Sequence, residues 1–212
     1  MNSLLAASSF VAVTLLTPAV SAQTLCIRVY NHAQVPAAEL KVALLETTRV
    51  FKPTGLRITW QLDVESPEDR GIDMSSASAR KTDNRRYVVL SLLTGSPETV
   101  CPGALGFALP FAHTGAHGSI FYDRIQAMAR RESVAQYIVL GSAMAHELGH
   151  VLLRSTEHSQ AGLMQTRWNK TTWRLASEGL LGFLPEQLRA IRNTAVAIGE
   201  RESVLLANGL EH

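Results

Sequence analysis

The segment Ser133-Val134-Ala135-Gln136-Tyr137-Ile138-Val139-Leu140-Gly141-Ser142-Ala143-Met144-Ala145-His146-Glu147-Leu148-Gly149-His150-Val151-Leu152-Leu153 decides how this chain is read. Ser133 and Gln136 have capping-box spacing, which predicts a helix starting there and running to about Leu153. On a helix, residues four apart lie one turn apart on one face, so the imidazoles of His146 and His150 can reach one ion. Zinc accepts imidazole nitrogen at about 2.0–2.1 Å, and catalytic zinc keeps three protein ligands and one water. Glu147 sits one residue further round, where its carboxylate can take a proton from that water instead of holding the ion. Ala143, Ala145 and Gly149 are small enough for close packing, while Leu148, Val151 and Leu152 give the helix an apolar face to bury.

Two histidines leave a catalytic zinc site incomplete. Downstream, His158 and Glu178 are both candidates for the third ligand, and His158 is the better by ligand type and spacing. Glu157 would point away from His158 in an extended segment. Glu178 would suit a zinc site with a distant glutamate ligand, but Arg174-Leu175-Ala176-Ser177 offers it no partner motif. His113 and His117 are four apart in a Gly-rich loop with no carboxylate partner, and read as surface histidines. His32 and His212 have no partners in sequence.

Working outward, Leu25, Ile27 and Val29 alternate with Cys26, Arg28 and Tyr30, predicting a first strand with one apolar face. Pro36 opens a helix with Leu40, Ala43, Leu44, Thr48 and Phe51 on one side, and Pro53-Thr54-Gly55 ends it. A second strand is predicted from Leu56 to Leu62, then a long polar surface loop from Glu65 to Arg85. Tyr87 to Leu93 has the continuous apolar character of an interior strand. Ala104 to Phe111 reads as an edge strand ended by Pro110, and Gly118 to Asp123 as another short strand. After the Gly162-Leu163-Met164 turn comes a last helix, about Pro185 to Ile198, with Leu188, Ile191, Ala195 and Ile198 on one side. The order predicts a single α/β (α+β) domain.

Bulk properties restrict the function further. The apolar run Leu4 to Leu16 is too short to span a bilayer. Pro18 and the small residues Val20-Ser21-Ala22 follow it, so residues 1–22 read as a signal peptide cleaved after Ala22. Residues 23–212 then form one exported domain, secreted or periplasmic, with no membrane span expected. With 20 Lys and Arg against 18 Asp and Glu, the net charge is +2 and no basic stripe stands out, so no nucleic-acid partner is expected. Cys26 and Cys101 form an even pair that an oxidising compartment is expected to link.

The stretch His146 to Met164 resembles the metzincin clan of zinc peptidases. It is most similar to the matrixin form, in which the third histidine is followed by serine and later by a Leu-Met pair. His158-Ser159 and Leu163-Met164 match those positions. The resemblance implies one twisted mixed sheet, an active-site helix carrying His146-Glu147-Leu148-Gly149-His150, a methionine turn packed beneath the metal at Met164, and a C-terminal helix. It also implies Zn2+ on His146, His150 and His158, Glu147 as catalytic base, and a peptide or protein substrate whose backbone pairs with the Ala104–Phe111 edge. The chain departs from the pattern between ligands. The family's third histidine stands six residues after the second with a glycine three earlier, whereas here Thr156 fills that position and no glycine precedes Gly162. Either Arg154 or Ser155 turns left-handed there, at about 1–2 kcal/mol, or a longer connection to His158 avoids the need. Arg167 and Trp168 follow the turn where they can line a cleft. The competing class is an exported non-enzymatic metal-binding or scaffold domain of the same fold, against which the retention of Glu147 argues.

Overall fold

Leu25, Ile27 and Val29 point to one side of strand β1 (Thr24–Asn31), and all three are buried. In the computed structural model, which describes residues 23–63, 88–95, 101–110 and 117–195, this strand lies inside a five-stranded sheet. β2 (Arg57–Asp63) and β3 (Val88–Leu93) flank it in parallel, β5 (His117–Phe121) runs parallel to β3, and β4 (Gly106–Leu109) closes the far edge antiparallel to β5. The order β2-β1-β3-β5-β4 puts β3 in the middle. That is why Val88 to Leu92 are buried without alternation: a central strand in a parallel sheet is covered on both faces.

Register sorts the side chains into two faces. Leu25, Ile27, Val29, Val88, Leu90, Leu92 and Ile120 share the face that packs on the helices. The opposite face is more polar. There buried Arg28 pairs with Asp63 at 3.4 Å, and His117 lies 3.3 Å from the Ser119 hydroxyl and 3.5 Å from that of Ser91. His117 is therefore a partly buried strand residue and not a surface-loop histidine.

Helix α1 (Ala37–Phe51) buries Leu40, Ala43, Leu44, Thr47, Val50 and Phe51. The stripe passes through Thr47 and not Thr48, because the Thr47 hydroxyl reaches the Gly141 carbonyl across the helix interface at 3.1 Å. Thr48 instead accepts the Trp60 indole N–H at 3.0 Å. Gly55, at φ 77°, ends the turn after α1 in the left-handed region that glycine tolerates.

Two helices have no counterpart in the sequence reading, one directly after β5 and one over Lys170–Ser177. The strand expected to reach Asp123 stops at Phe121, and α2 (Tyr122–Glu132) begins at once, burying Tyr122, Ile125 and Ala129. Ser133 closes α2 at φ 54°, so it cannot also cap the next helix as its spacing with Gln136 suggested. α3 (Gln136–Leu153) starts after Ala135 with no side-chain cap, and the Gln136 amide donates to Glu39 at 2.8 Å and to the Tyr122 hydroxyl at 2.7 Å. α4 (Lys170–Ser177) is capped by Asn169, which accepts from the Thr172 N–H at 3.0 Å. A final helix over residues 185–195 returns Ile191 and Ala195 to the core.

Cys26 and Cys101 are both free. Cys26 is on β1, whereas Cys101 lies just before β4, its carbonyl accepting from the Ala104 N–H at 3.1 Å. β3 and β5 stand between those strands, a span of about 14 Å at ordinary strand spacing, well beyond what a disulfide bridges. Residues 1–22, the Glu65–Arg85 loop, His113, Ile198 and His212 lie outside the described residues. Among those described, no helix is long and apolar enough to cross a membrane.

α1 and α3 meet where a side chain is missing. A Cβ on Gly141 would stand 2.8 Å from the Ala43 carbonyl oxygen and 2.8 Å from Glu46 Cβ. Gly141→Ala should therefore lower stability by about 1–3 kcal/mol despite its better helix propensity, because the helices must separate. Urea melts should show a lower midpoint with an unchanged slope; an unchanged or raised midpoint would contradict this account.

Candidate metal centre

α3 is buried from Ile138 to Leu152, so His146, Glu147 and His150 are held where water has little access. Buried polar groups need partners, and each histidine finds one in a backbone carbonyl. His146 Nδ1 lies 2.9 Å from the Leu163 oxygen, and His150 Nδ1 lies 2.8 Å from that of Ser155. A carbonyl can only accept, so each Nδ1 carries the proton and each Nε2 presents a lone pair. Those two Nε2 atoms face one another at 3.1 Å with no donor between them. The arrangement suits a shared cation: two ligands on a tetrahedral ion at zinc–imidazole distance stand about 3.3 Å apart.

His158 joins them. Its ring centre is 5.3 Å from that of His146 and 4.8 Å from that of His150. One nitrogen from each of the three lies within 4.8 Å of the others. The other candidates lie elsewhere: Glu178 is exposed at the end of α4, 3.5 Å from Arg174, and Glu157 is exposed outside the cluster.

Two backbone turns bring the third histidine in. Arg154 ends α3 at φ 51° and ψ 45°, left-handed without a glycine, so of the two alternatives it is the turn that the chain takes. That turn brings the Ser155 chain back so that its N–H bonds the His150 carbonyl at 3.2 Å while its own oxygen holds His150 Nδ1. Further on, the Ser159 N–H bonds the Met164 carbonyl at 2.8 Å, closing a loop that begins at His158. Gly162, at φ 73°, forms the bend, and the Leu163 N–H is fixed by the Gly182 carbonyl at 2.7 Å. Leu163 and Met164 are fully buried. A Cβ on Gly149 would lie 2.6 Å from Met164 Sδ and 2.7 Å from Phe183, so the helix glycine admits both side chains against α3.

Glu147 faces β4 and β5. A Cβ on Gly106 would lie 3.1 Å from its Oε1, and one on Gly118 would lie 3.4 Å from its Cβ. Both strands carry glycine where this side chain passes. Burial raises the Glu147 pKa to about 8. Burial also lowers that of His146 to about 3, opposed by its bond to Leu163 and reinforced by the two neighbouring histidines. His150 is lowered by burial, against the pull of Ser155, and His158 is lowered by burial. At neutral pH all three rings are neutral, the state in which imidazole binds a metal.

These groups line a cleft of about 910 Å3 whose walls include β4, Met128, Arg131, Arg167, Trp168 and Trp173. Arg167 and Trp168 thus stand where the sequence reading put them. The Trp168 indole donates to the same Leu163 carbonyl as His146, at 3.1 Å, and its ring meets that of His146 edge-on at 5.7 Å. Sequence reasoning missed Met128, Arg131 and Trp173. The first two were findable, since Tyr122, Ile125 and Ala129 have helical spacing; the carbonyls of Ser155 and Leu163 were not, because every residue has one.

The architecture has relatives among solved structures. A zinc-dependent peptidase from Methanocorpusculum labreanum superposes with a TM-score of 0.50 over 78% of this chain and 99% of its own, at 13% identity. At that identity the likeness is one of fold. Archaemetzincin from Methanopyrus kandleri gives 0.48 over 84% and 98%, at 18% identity. Metalloproteinase-II from Bacteroides fragilis gives 0.45 over 82% of this chain and 55% of its own, at 11% identity. No protein-family model matches the sequence, and no curated protein does.

Two expectations follow. Arg154 is exposed and left-handed, so Arg154→Gly should remove backbone strain and stabilise by about 1 kcal/mol, whereas Arg154→Val should destabilise, as thermal melts would reveal. In metal-free protein, Glu147 binds more protons folded than unfolded between pH 4.5 and about 8, so stability falls as pH rises through that window. His146 acts oppositely, and stability falls as pH drops from 6.5 toward about 3. Above about pH 7 the histidines are mostly neutral in both states, so chelator-treated protein should melt at a higher temperature at pH 7 than at pH 8, and Glu147→Gln should abolish most of that alkaline loss. An undiminished loss in the variant would show that Glu147 is not its cause.

Proposed function

We propose that residues 23–212 form an exported zinc-dependent endopeptidase, secreted or periplasmic, with zinc on His146, His150 and His158 and Glu147 as catalytic base. The observation that carries this is the pair of His146 and His150 lone pairs facing each other at 3.1 Å, with His158 beside them and a buried carboxylate one residue along. When bound, zinc supplies Lewis acidity toward a carbonyl oxygen and makes water acidic enough to lose a proton near neutral pH. A nearby cation also favours the ionised form of Glu147, countering the burial that keeps it protonated.

The remaining chemistry belongs to the chain. Glu147 takes a proton as water adds to the peptide carbonyl carbon. It then returns that proton to the nitrogen as the C–N bond breaks, leaving a carboxylic acid and an amine. The carbonyls of Leu163 and Ser155 hold the imidazoles in one tautomer and orientation. Gly106–Leu109 pairs only with β5 among the described strands, so its outer edge can align an extended peptide by main-chain hydrogen bonds beside Glu147. A binding domain that cleaves nothing would gain no benefit from a carboxylate buried here at a desolvation cost.

Three substitutions test the assignment. His158→Ala should lower zinc content, since the site loses one of three ligands. Glu147→Gln should keep zinc and reduce peptide cleavage by roughly 10²–10⁴-fold. Glu178→Ala should change neither. Elemental analysis and cleavage of a broad peptide library measure both properties; a site emptied by Glu178→Ala, or an unmutated zinc-loaded protein that cleaves no peptide, would overturn the proposal.

A further inference from the structure

The cleft beside the histidines is rich in donors and short of acceptors. Among the described residues, its charged lining groups apart from the three histidines are Arg131, Arg167 and Glu147. Glu147 is taken up by the reaction. Arg131 is compensated, with Glu132 at 2.7 Å and the Met128 sulfur at 3.0 Å. Arg167 is exposed and makes no hydrogen bond or ion pair with any described residue. Trp173, whose ring also lines the cleft, is buried with an indole N–H that has no acceptor among the described residues.

Arg167 is also well placed. Its neighbour Trp168 is pinned by the Leu163 carbonyl and stands edge-on to His146 at 5.7 Å. The backbone of residue 167 is thereby fixed one residue from a side chain that touches a proposed zinc ligand, while the long guanidinium arm remains free. A planar guanidinium is the side chain best suited to grip a carboxylate through two parallel hydrogen bonds.

We propose that this cleft selects peptides bearing a carboxylate at the residue next to the bond acted on, and that Arg167 is the side chain that recognises it. This rests on the peptidase reading and adds a substrate class to it. The carboxylate is an Asp or Glu side chain or a free chain terminus, two sources of the same chemistry.

The test uses the zinc-loaded full chain and one fluorogenic peptide series with Glu, Gln or Lys on either side of the scissile bond. Each peptide is made with a free and an amidated C-terminus. The Glu peptide should exceed the Gln peptide by about tenfold in kcat/KM, mostly through KM, and the Lys peptide should be poorest. Raising the salt should narrow the ratio, because exposed charges are screened. Arg167→Gln should bring the Glu-to-Gln ratio near one, Arg167→Lys should keep part of it, and Arg167→Glu should reverse the order in favour of Lys. A Glu-over-Gln preference that persists in the amidated peptides assigns recognition to the side chain; a loss on amidation that is the same for Glu and Gln peptides assigns it to the chain terminus.

A second measurement does not depend on cleavage. Zinc-loaded Glu147→Gln protein is titrated with the same peptides, following tryptophan emission, since Trp168 and Trp173 line the cleft. Equal affinity for Glu and Gln peptides, with no loss of affinity on amidation of the C-terminus, would overturn the proposal even if peptides are cleaved. Selective binding of Glu peptides, lost in Arg167→Gln, would uphold it even if the unmutated protein cleaves nothing, in which case only the peptidase reading fails.

Discussion

Carrying three ionisable side chains on a helix with no exposed face is the constraint that organises this molecule. α3 is packed against α1, α2 and the sheet, so His146, Glu147 and His150 meet solvent only at the cleft, and the surrounding chain must hold them. Two carbonyls, Leu163 and Ser155, meet that need for the histidines. Each lies in a segment whose conformation serves the contact: a left-handed Arg154 for one, the Gly162 bend for the other. Orientation of the rings is then a consequence of main-chain geometry, which is stiffer than any side-chain contact could make it.

Close approach is the second theme, and it is achieved by leaving atoms out. Gly141 lets α1 lie against α3, Gly149 admits Met164 and Phe183, and Gly106 and Gly118 make room for Glu147 beside the sheet. A methyl group at Gly106 would collide with the Ser119 carbonyl as well as crowd Glu147. The same absences that tighten the core therefore set the position of the proposed base. Stability and chemistry share one set of contacts here, so a substitution at these glycines is expected to disturb both.

Much of the frame was legible from periodicity. Alternation in Leu25, Ile27 and Val29, the unbroken apolar run ending at Leu93, and the helical stripe through Leu40, Ala43, Leu44 and Phe51 each matched an element of the structure. The misreadings have a common cause. Ser133 and Gln136 match a capping box, but the same serine can close a preceding helix, and local spacing cannot choose between the two. α2 follows β5 without a loop, so no turn residue separated the patterns. The cysteine pair failed because an even count carries no distance: strand order put two strands between β1, with Cys26, and β4, which Cys101 precedes.

What the sequence by itself determined was the pairing of His146 with His150 and the station of Glu147 between them, because a helix converts spacing into direction with no help from the rest of the chain. His158 was a different matter. It lies beyond the helix end, where direction depends on φ and ψ at Arg154 and Gly162 and on bonds to Gly182 and Met164 that span many residues. Only the tertiary structure could bring its ring to 4.8 Å from His150 and leave Glu178 on the surface. The same holds for the donor-rich cleft, whose walls come from α2, β4 and α4. Their juxtaposition follows from packing against a shared core, and packing acts between elements that the linear order keeps apart.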